Sequence, residues 1–316
     1  MKNRIWIDGC FDLFHFGHAN ALRQAKGLGG TLICGINSFD DIYKNKGIPV
    51  FTDEEREEIV KSCRWVDEVV SKVPYSPSVE LIKKFNCDYA VHGDDLACDE
   101  NGVDVYAETK ALGLFKEIGR TKNISTTEIV GRLLLQEKKI TVQNQQSTEE
   151  SLFYKNMKEI FKLPCKKKEG TVVFIDGIFD LYHAGHCKAI ENAKKNGDYL
   201  IVGLVSDSLA KEYLKVSPIL NENERYLVLM SNKYVDEIIM SPSNFDEDFI
   251  RKHRISKVFR SPDIKDLSRF QNVKENFIFD NTPNPFSELS TDKIVNRIIS
   301  NYQLFLKRQN SKLSND

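Results

Sequence analysis

Residues 7–18 read IDGCFDLFHFGH, and residues 175–186 read IDGIFDLYHAGH. The two stretches lie 168 residues apart, since 183 − 15 = 168. The likeness continues in the same order along the chain. Arg64-Trp65-Val66-Asp67-Glu68 faces Lys233-Tyr234-Val235-Asp236-Glu237 at an offset of 169, and Ser125-Thr126-Thr127-Glu128-Ile129-Val130 faces Ser290-Thr291-Asp292-Lys293-Ile294-Val295 at 165. Three ordered matches with a small drift are the mark of a duplicated domain with short loop insertions and deletions.

Around each copy of the motif, short β-branched runs alternate with helical patterns. Ile5-Trp6-Ile7, a helix from Ala19 to Leu28, and Thr31-Leu32-Ile33-Cys34 recur as Val172-Val173-Phe174-Ile175, a helix from Cys187 to Lys195, and Tyr199 to Val205. A further helix follows in each, Glu54 to Ser62 and Glu224 to Ser231. Strand–helix–strand units of this length predict an α/β fold, with two tandem Rossmann-like, doubly wound parallel sheets. Ligands of such sheets sit at the carboxyl ends of the strands. The expected boundaries are 1–135 for the first domain, 136–170 for a linker, 171–305 for the second domain and 306–316 for a polar tail. The linker holds polar tracts, one amphipathic helix from Leu152 to Leu163, and the run Lys166-Lys167-Lys168, read as a solvated basic stretch.

Composition narrows the function. A chain of 316 residues with net charge −1 has no general attraction for nucleic acid or an anionic membrane. Its seven cysteines are scattered, odd in number and without a CxxC pair, which argues against a disulfide scaffold or zinc site and for a reducing, cytoplasmic setting. No apolar run has the length of a signal peptide or membrane span. Neither a GxGxxG nor a GxxxxGK[ST] loop follows the first strand, against a dinucleotide dehydrogenase or a P-loop ATPase.

His15 and His18 follow the first strand at the start of a helix, where positions three apart share a face. Their rings converge beside the free N–H groups of a helix N-terminus, a natural phosphate site, and Gly17 permits close backbone approach. Gly9 turns the chain out of the strand. Five of the six histidines fall in three short segments, at His15, His18, His92, His183 and His186. Such clustering favours function over packing, and no third ligand stands nearby to complete a zinc site.

At these residues the chain resembles the cytidylyltransferase family, within the wider HxGH nucleotidyltransferases. The closest likeness is to the branch with two tandem domains, and it spans all but the linker and tail. The supporting segments are HxGH at His15 to His18, Lys46-Gly47-Ile48-Pro49-Val50, Glu55-Arg56, the Arg64 to Glu68 run, His92-Gly93-Asp94-Asp95, and Arg120-Thr121 leading to Ile124-Ser125-Thr126-Thr127. The resemblance implies transfer of the cytidylyl group of CTP, with Mg2+, to phosphoethanolamine. It implies catalytic roles for His15, His18, Lys46 and Arg120. Nucleotide contacts fall on Gly9, Cys10, Phe11, Gly17, His92, Asp94, Thr121, Ser125, Thr126 and Thr127, and acceptor contacts on Asp12, Trp65 and Tyr106. For Trp65 and Tyr106 the competing reading is a core aromatic. Serine and threonine at a helix start are also plain caps. Asn123 replaces the family's usual glycine, and asparagine tolerates a left-handed backbone.

The second copy keeps Ile178, Phe179, His183, His186 and Lys215. It has Arg260 in place of His92, Ser261 in place of Gly93, Val216 in place of Gly47, and Pro285-Phe286 in place of Arg120-Thr121. A catalytically silent second site is expected, with the second copy acting as partner to the first in an intramolecular pseudo-dimer. Phosphocholine or glycerol-3-phosphate as acceptor, an ATP-dependent adenylyltransferase, and a nucleotide-binding scaffold without activity are the competing readings. The absence of a long basic amphipathic helix after the domain weighs against choline.

Overall fold

A computed structural model of the chain describes residues 3–137, 148–260, 273, 277–279, 282–301 and 303–305. The 306–316 tail and residues 138–147 of the linker lie outside these. The first half runs β1 (Arg4–Gly9), α1 (Phe16–Gly27), β2 (Thr31–Asn37), α2 (Phe39–Lys46), α3 (Asp53–Ser62), β3 (Glu68–Val73), α4 (Val79–Lys84), β4 (Tyr89–Gly93), α5 (Ala107–Ala111), β5 (Phe115–Ile118) and α6 (Thr126–Glu137). The second runs α7 (Thr148–Phe161), β6 (Val172–Gly177), α8 (Ala184–Lys195), β7 (Tyr199–Leu204), α9 (Asp207–Leu214), α10 (Glu222–Ser231), β8 (Glu237–Met240), α11 (Glu247–His253), β9 (Lys257–Arg260), β10 (Phe277–Phe279) and α12 (Thr291–Ser300).

Among the described residues there are two five-stranded parallel sheets, ordered β3-β2-β1-β4-β5 and β10-β9-β6-β7-β8. Their central strands are buried on both faces, as the unbroken apolar runs Ile5-Trp6-Ile7 and Val172 to Ile175 require. Register bears out the duplication residue by residue. Ile5 lies opposite Tyr89 and Val173 opposite Lys257, and both members of the second pair are 168 residues on. Arg260 therefore does occupy the place of His92.

Several family-motif residues hold this framework together. Arg56, fully buried, donates from Nη1 to the carbonyls of Cys10 at 2.9 Å and Asn37 at 2.8 Å, joining the ends of β1 and β2. Arg225 does the same with Ile178 and Val205. Asp67 accepts from the amide of Leu32 at 2.7 Å and from Lys26, and Asp236 repeats this with Leu200 and Lys194. The basic run of the linker is paired: Lys166 lies 3.3 Å from Asp236, Lys168 2.6 Å from Glu237, and Lys167 contacts Glu169.

The chain forms two compact units, Met1–Thr141 with Thr291–Asp316, and Val142–Ser290. This differs from the sequence-based boundaries at two helices. α12, counted with the second copy by repetition, groups with the first unit: it buries Ile294 and Ile298 completely and packs on α6. α7, inside the expected linker, packs on α10 and buries Tyr154, Met157 and Phe161. Its Lys158 donates to Asn223 Oδ1 at 2.7 Å. An amphipathic helix is claimed by whichever apolar surface covers its stripe, and sequence spacing alone does not name that surface.

Replacement of Arg56 by alanine leaves two buried carbonyls without their donor. The expected loss is about 3 kcal/mol or more of unfolding free energy, read from urea titration.

Candidate active site

Between β1 and α1 the chain makes a turn with Phe11 (φ 49°) and Leu13 (φ 43°) in the left-handed region. Bulky residues pay about 1–2 kcal/mol each for that conformation. Asp12, buried between them, holds the turn by accepting from the amides of Val50 and Phe51, each at 2.9 Å. The turn delivers His15 as the N-cap of α1, with φ −134° and ψ 172°. Helix α1 thus begins at Phe16, earlier than the apolar pattern indicated, because histidine here performs a cap's work.

His15 Nδ1 accepts from the amide of Gly17 at 3.1 Å, and His18 Nδ1 accepts from the amide of His15 at 3.4 Å. A ring nitrogen that accepts carries no proton, so these bonds assign the proton of each neutral ring to Nε2. The rings stack with centroids 3.9 Å apart. Burial, then the His18 ring and the cations of Arg120 and Arg132, hold His15 well below its ordinary range. Burial, with Lys46 and Arg120, brings His18 down to about 3. Both are neutral N–H donors at neutral pH.

They face a cleft of about 620 Å³ at the carboxyl ends of β1 and β4, the point where strand order reverses. The structure brings all four expected catalytic residues to it: His15, His18, Lys46 and Arg120. Gly9, Cys10, Phe11, Gly17 and His92 line it as well, as do Thr121, Ser125, Thr126 and Thr127 from the start of α6. Ser125 Oγ caps that helix by accepting from Glu128 N at 3.1 Å, and Thr126 Oγ1 donates to the carbonyl of Asp12 at 3.0 Å. Asn123 takes φ 65°, so the loop keeps its left-handed residue without glycine.

Three expected residues stand elsewhere. Asp94 is exposed and outside the lining, accepting from the amide of Arg120 at 2.9 Å. Trp65 is outside the lining. Tyr106 is buried one layer back, its hydroxyl donating to Asp8 Oδ1 at 3.0 Å. Asp12 lines the cleft, but the amides of Val50 and Phe51 occupy its carboxylate, leaving it ill suited to an ammonium group.

A second buried carboxylate in the cleft is Asp8, which sequence reasoning passed over. It lines the cleft, buried, with Oδ1 accepting also from Trp6 Nε1 at 2.8 Å and Oδ2 3.5 Å from Asn37 Nδ2. Burial raises it to about 6 against the lowering effect of these donors. Tyr75 is a second omission: it lines the cleft, with Lys46 Nζ 5.2 Å from its ring centroid. Repetition held a usable signal for Asp8, since Asp176 stands at the same place in IDG of the second copy.

In the second unit His183 and His186 stack in the same way, at 3.7 Å, and His186 is likewise driven well below its ordinary range by burial and His183. Phe179 and Leu181 repeat the left-handed turn, and Asp180 accepts from Ile219 and Leu220. The surroundings differ. The carbonyl of Phe286 would lie 2.9 Å from a Cβ on Gly185, and Asn284 Nδ2 donates to the Gly185 carbonyl at 3.3 Å, so the segment replacing Arg120-Thr121 crowds the histidine turn. Gly47 takes φ 92°; valine disfavours that, and with Val216 in its place the left-handed position moves to Lys215, at φ 61°. Ser261 lies outside the described residues.

Comparison with known proteins agrees with this geometry. The model of the cytidylyltransferase-like family matches residues 6–132 and 174–298. The chain is 45% identical over 312 residues to "Probable ethanolamine-phosphate cytidylyltransferase" of Encephalitozoon cuniculi (strain GB-M1), covering 98% of this chain and 97% of that one. It is 33% identical to ethanolamine-phosphate cytidylyltransferase of Mus musculus, over 98% of this chain and 89% of that one. Choline-phosphate cytidylyltransferase 2 of Arabidopsis thaliana is 42% identical, but over only 42% of this chain and 44% of its own. The chain belongs to the cytidylyltransferase-like family and is a nucleotidyltransferase. Its full-length likeness is to the members named ethanolamine-phosphate cytidylyltransferase.

The neutral histidine pair has a consequence for stability. His18 titrates near 6.5 when unfolded and at about 3 when folded. Between those values the unfolded chain binds the extra proton, so this contribution is complete above pH 6.5 and is lost as pH falls. The stability of the parent relative to His18→Asn should drop by about 1.4 kcal/mol per pH unit below 6.5, measured by urea unfolding from pH 7.5 to 5. A pH-independent difference would contradict the neutral, stacked assignment.

Proposed function

We propose that the first unit transfers the cytidylyl group of CTP to phosphoethanolamine, forming CDP-ethanolamine and pyrophosphate for phosphatidylethanolamine synthesis. The observation that carries this reading is the meeting, in one cleft, of two Nε2–H donors, Lys46 and Arg120 with the buried carboxylate of Asp8. An oxygen of the acceptor phosphate attacks the α-phosphorus of CTP, and the bond to the β-phosphate oxygen breaks. His15 and His18 donate to the phosphate oxygens as charge shifts during this exchange. Lys46 and Arg120 neutralise the incoming and leaving phosphates, and the start of α6 supplies further donors. Asp8 receives the ammonium group, with Tyr75 offering an aromatic face.

CTP enters as its Mg2+ complex. Among the described residues no group of three or more histidines, cysteines or carboxylates is set to hold a metal ion, and Mg2+ is readily carried by nucleotide phosphates and water. The second unit is assigned no turnover. Nucleic acid is not a partner of this nearly neutral chain. A cytoplasmic setting fits seven free thiols. No described helix is long and apolar enough to cross a membrane.

The deciding assay incubates purified protein with Mg2+, CTP or ATP, and phosphoethanolamine, phosphocholine or glycerol-3-phosphate, and follows pyrophosphate. Release is expected with CTP and phosphoethanolamine. Activity confined to ATP, or to phosphocholine, would sink the assignment. His15→Ala or His18→Ala should lower kcat by about 100- to 1000-fold, while His183→Ala/His186→Ala in a folded protein should leave most activity intact.

Asp8 must be ionised to hold an ammonium group. As its carboxyl is raised to about 6, kcat/KM for phosphoethanolamine should fall as pH drops through that value. Asp8→Asn should raise the KM for phosphoethanolamine by about tenfold or more and remove this acid limb, while changing the KM for CTP little.

A further inference from the structure

We propose that Arg297, on the last helix of the second repeat, is a positioning residue for Lys46 in the cleft of the first unit. This rests on the cytidylyl-transfer reading above and adds a residue to its machinery. By repetition Arg297 matches Arg132, since 297 − 132 = 165, and Arg132 pairs with Glu128 on its own helix. Arg297 reaches a residue of another helix, Glu55 on α3. Its guanidinium grips Glu55 with both arms, Nη1 to Oε2 at 2.6 Å and Nη2 to Oε1 at 2.8 Å. Nη1 also donates to the carbonyl of Val50 at 3.1 Å.

These contacts surround one short connection. Lys46 ends α2, Gly47 turns at φ 92°, and three residues, Gly47, Ile48 and Pro49, separate Lys46 from Val50. Pro49 limits what the three can do. Val50 is held on both sides of its residue: its amide donates to Asp12 at 2.9 Å and its carbonyl accepts from Arg297. Immediately beyond, the amide of Thr52 donates to Glu55 Oε2 at 2.9 Å, closing the capping box of α3. The same carboxylate thus starts α3 and receives Arg297. Glu55 is buried, and without its cation this carboxylate would lose the partner that offsets its desolvation.

Asp12 fixes the connection from the histidine turn, and Arg297 fixes it from the opposite side. The connection in turn sets where the Lys46 ammonium stands relative to the two Nε2–H donors. In the second unit Asn221 and Glu224 form the matching capping box, with Tyr154 OH 3.3 Å from Asn221 Nδ2 and Lys158 bound to Asn223.

The test is a double-mutant comparison using the full chain. Arg297→Met should lower kcat/KM for CTP by about tenfold in the parent and should have no further effect in Lys46→Ala, because its influence runs through that ammonium. An equal loss in both backgrounds would show a merely structural role and overturn the proposal, as would no loss in the parent. Circular dichroism and urea unfolding verify that each variant is folded. Should Arg297→Met not fold, Arg297→Lys serves, since one ammonium can pair with Glu55 but cannot hold both its oxygens and the Val50 carbonyl; a smaller loss is expected, again only when Lys46 is present. Calorimetric titration with Mg2+ and CTP alone repeats the comparison without any acceptor. If the parent releases no pyrophosphate with phosphoethanolamine, the functional reading fails. A weaker CTP affinity for Arg297→Met, abolished in Lys46→Ala, would still support the clamp, and unchanged affinity would refute it.

Discussion

The donor protons of the cleft exist because two backbone amides occupy the other side of the imidazoles. Gly17 N and His15 N each donate to an Nδ1, and that leaves each proton on Nε2. The geometry depends on a costly left-handed turn at Phe11 and Leu13, which Asp12 maintains by binding the amides of Val50 and Phe51. One carboxylate thereby ties the histidine turn to the connection that carries Lys46. The two parts of the cleft are mechanically a single piece.

The features legible in the sequence were those written locally or twice. HxGH and the apolar runs of the central strands each involve residues close in the chain. Duplication added long-range information, because equal offsets on paired strands predict equal register, and Arg260 in the place of His92 is one result. Asp8 was legible only as a repeated residue, matched by Asp176; its setting depends on Tyr106, 98 residues away, and on Asn37. Asp12 and Asp8 look alike in the motif, and only the fold shows that backbone amides hold both oxygens of Asp12, while Asp8 is held by side chains, its Oδ2 by a contact of 3.5 Å. Trp65 shows that membership of a family motif does not by itself place a side chain in the cleft. The placement of α12 was hidden for another reason, since a buried stripe of isoleucines does not say which surface buries it.

Divergence between the copies has been uneven. The second unit preserves the histidine stack, the left-handed turn, the Asp180 bridge and the buried Arg225 tie. Those groups stabilise the sheet and its first crossover, so folding alone requires them. Changes gather where only a ligand would constrain the chain, at Arg260, at Val216 and at Pro285-Phe286. A motif that doubles as a helix cap has a reason to persist apart from chemistry, which makes HxGH a poorer marker of activity than its companions.

The grouping of α12 with the first unit has a consequence for biosynthesis. The first unit is discontinuous in sequence, with Val142–Ser290 intervening between its two parts. As the chain leaves the ribosome, the sheet of the first unit is complete long before α12 emerges. Until then the apolar face of α6 that receives Ile294 and Ile298 is uncovered, and Glu55 is without its guanidinium. The nascent first unit must therefore wait for nearly the whole chain to be translated, and a chaperone that shields α6 during that interval would find its target displaced by the protein's own last helix.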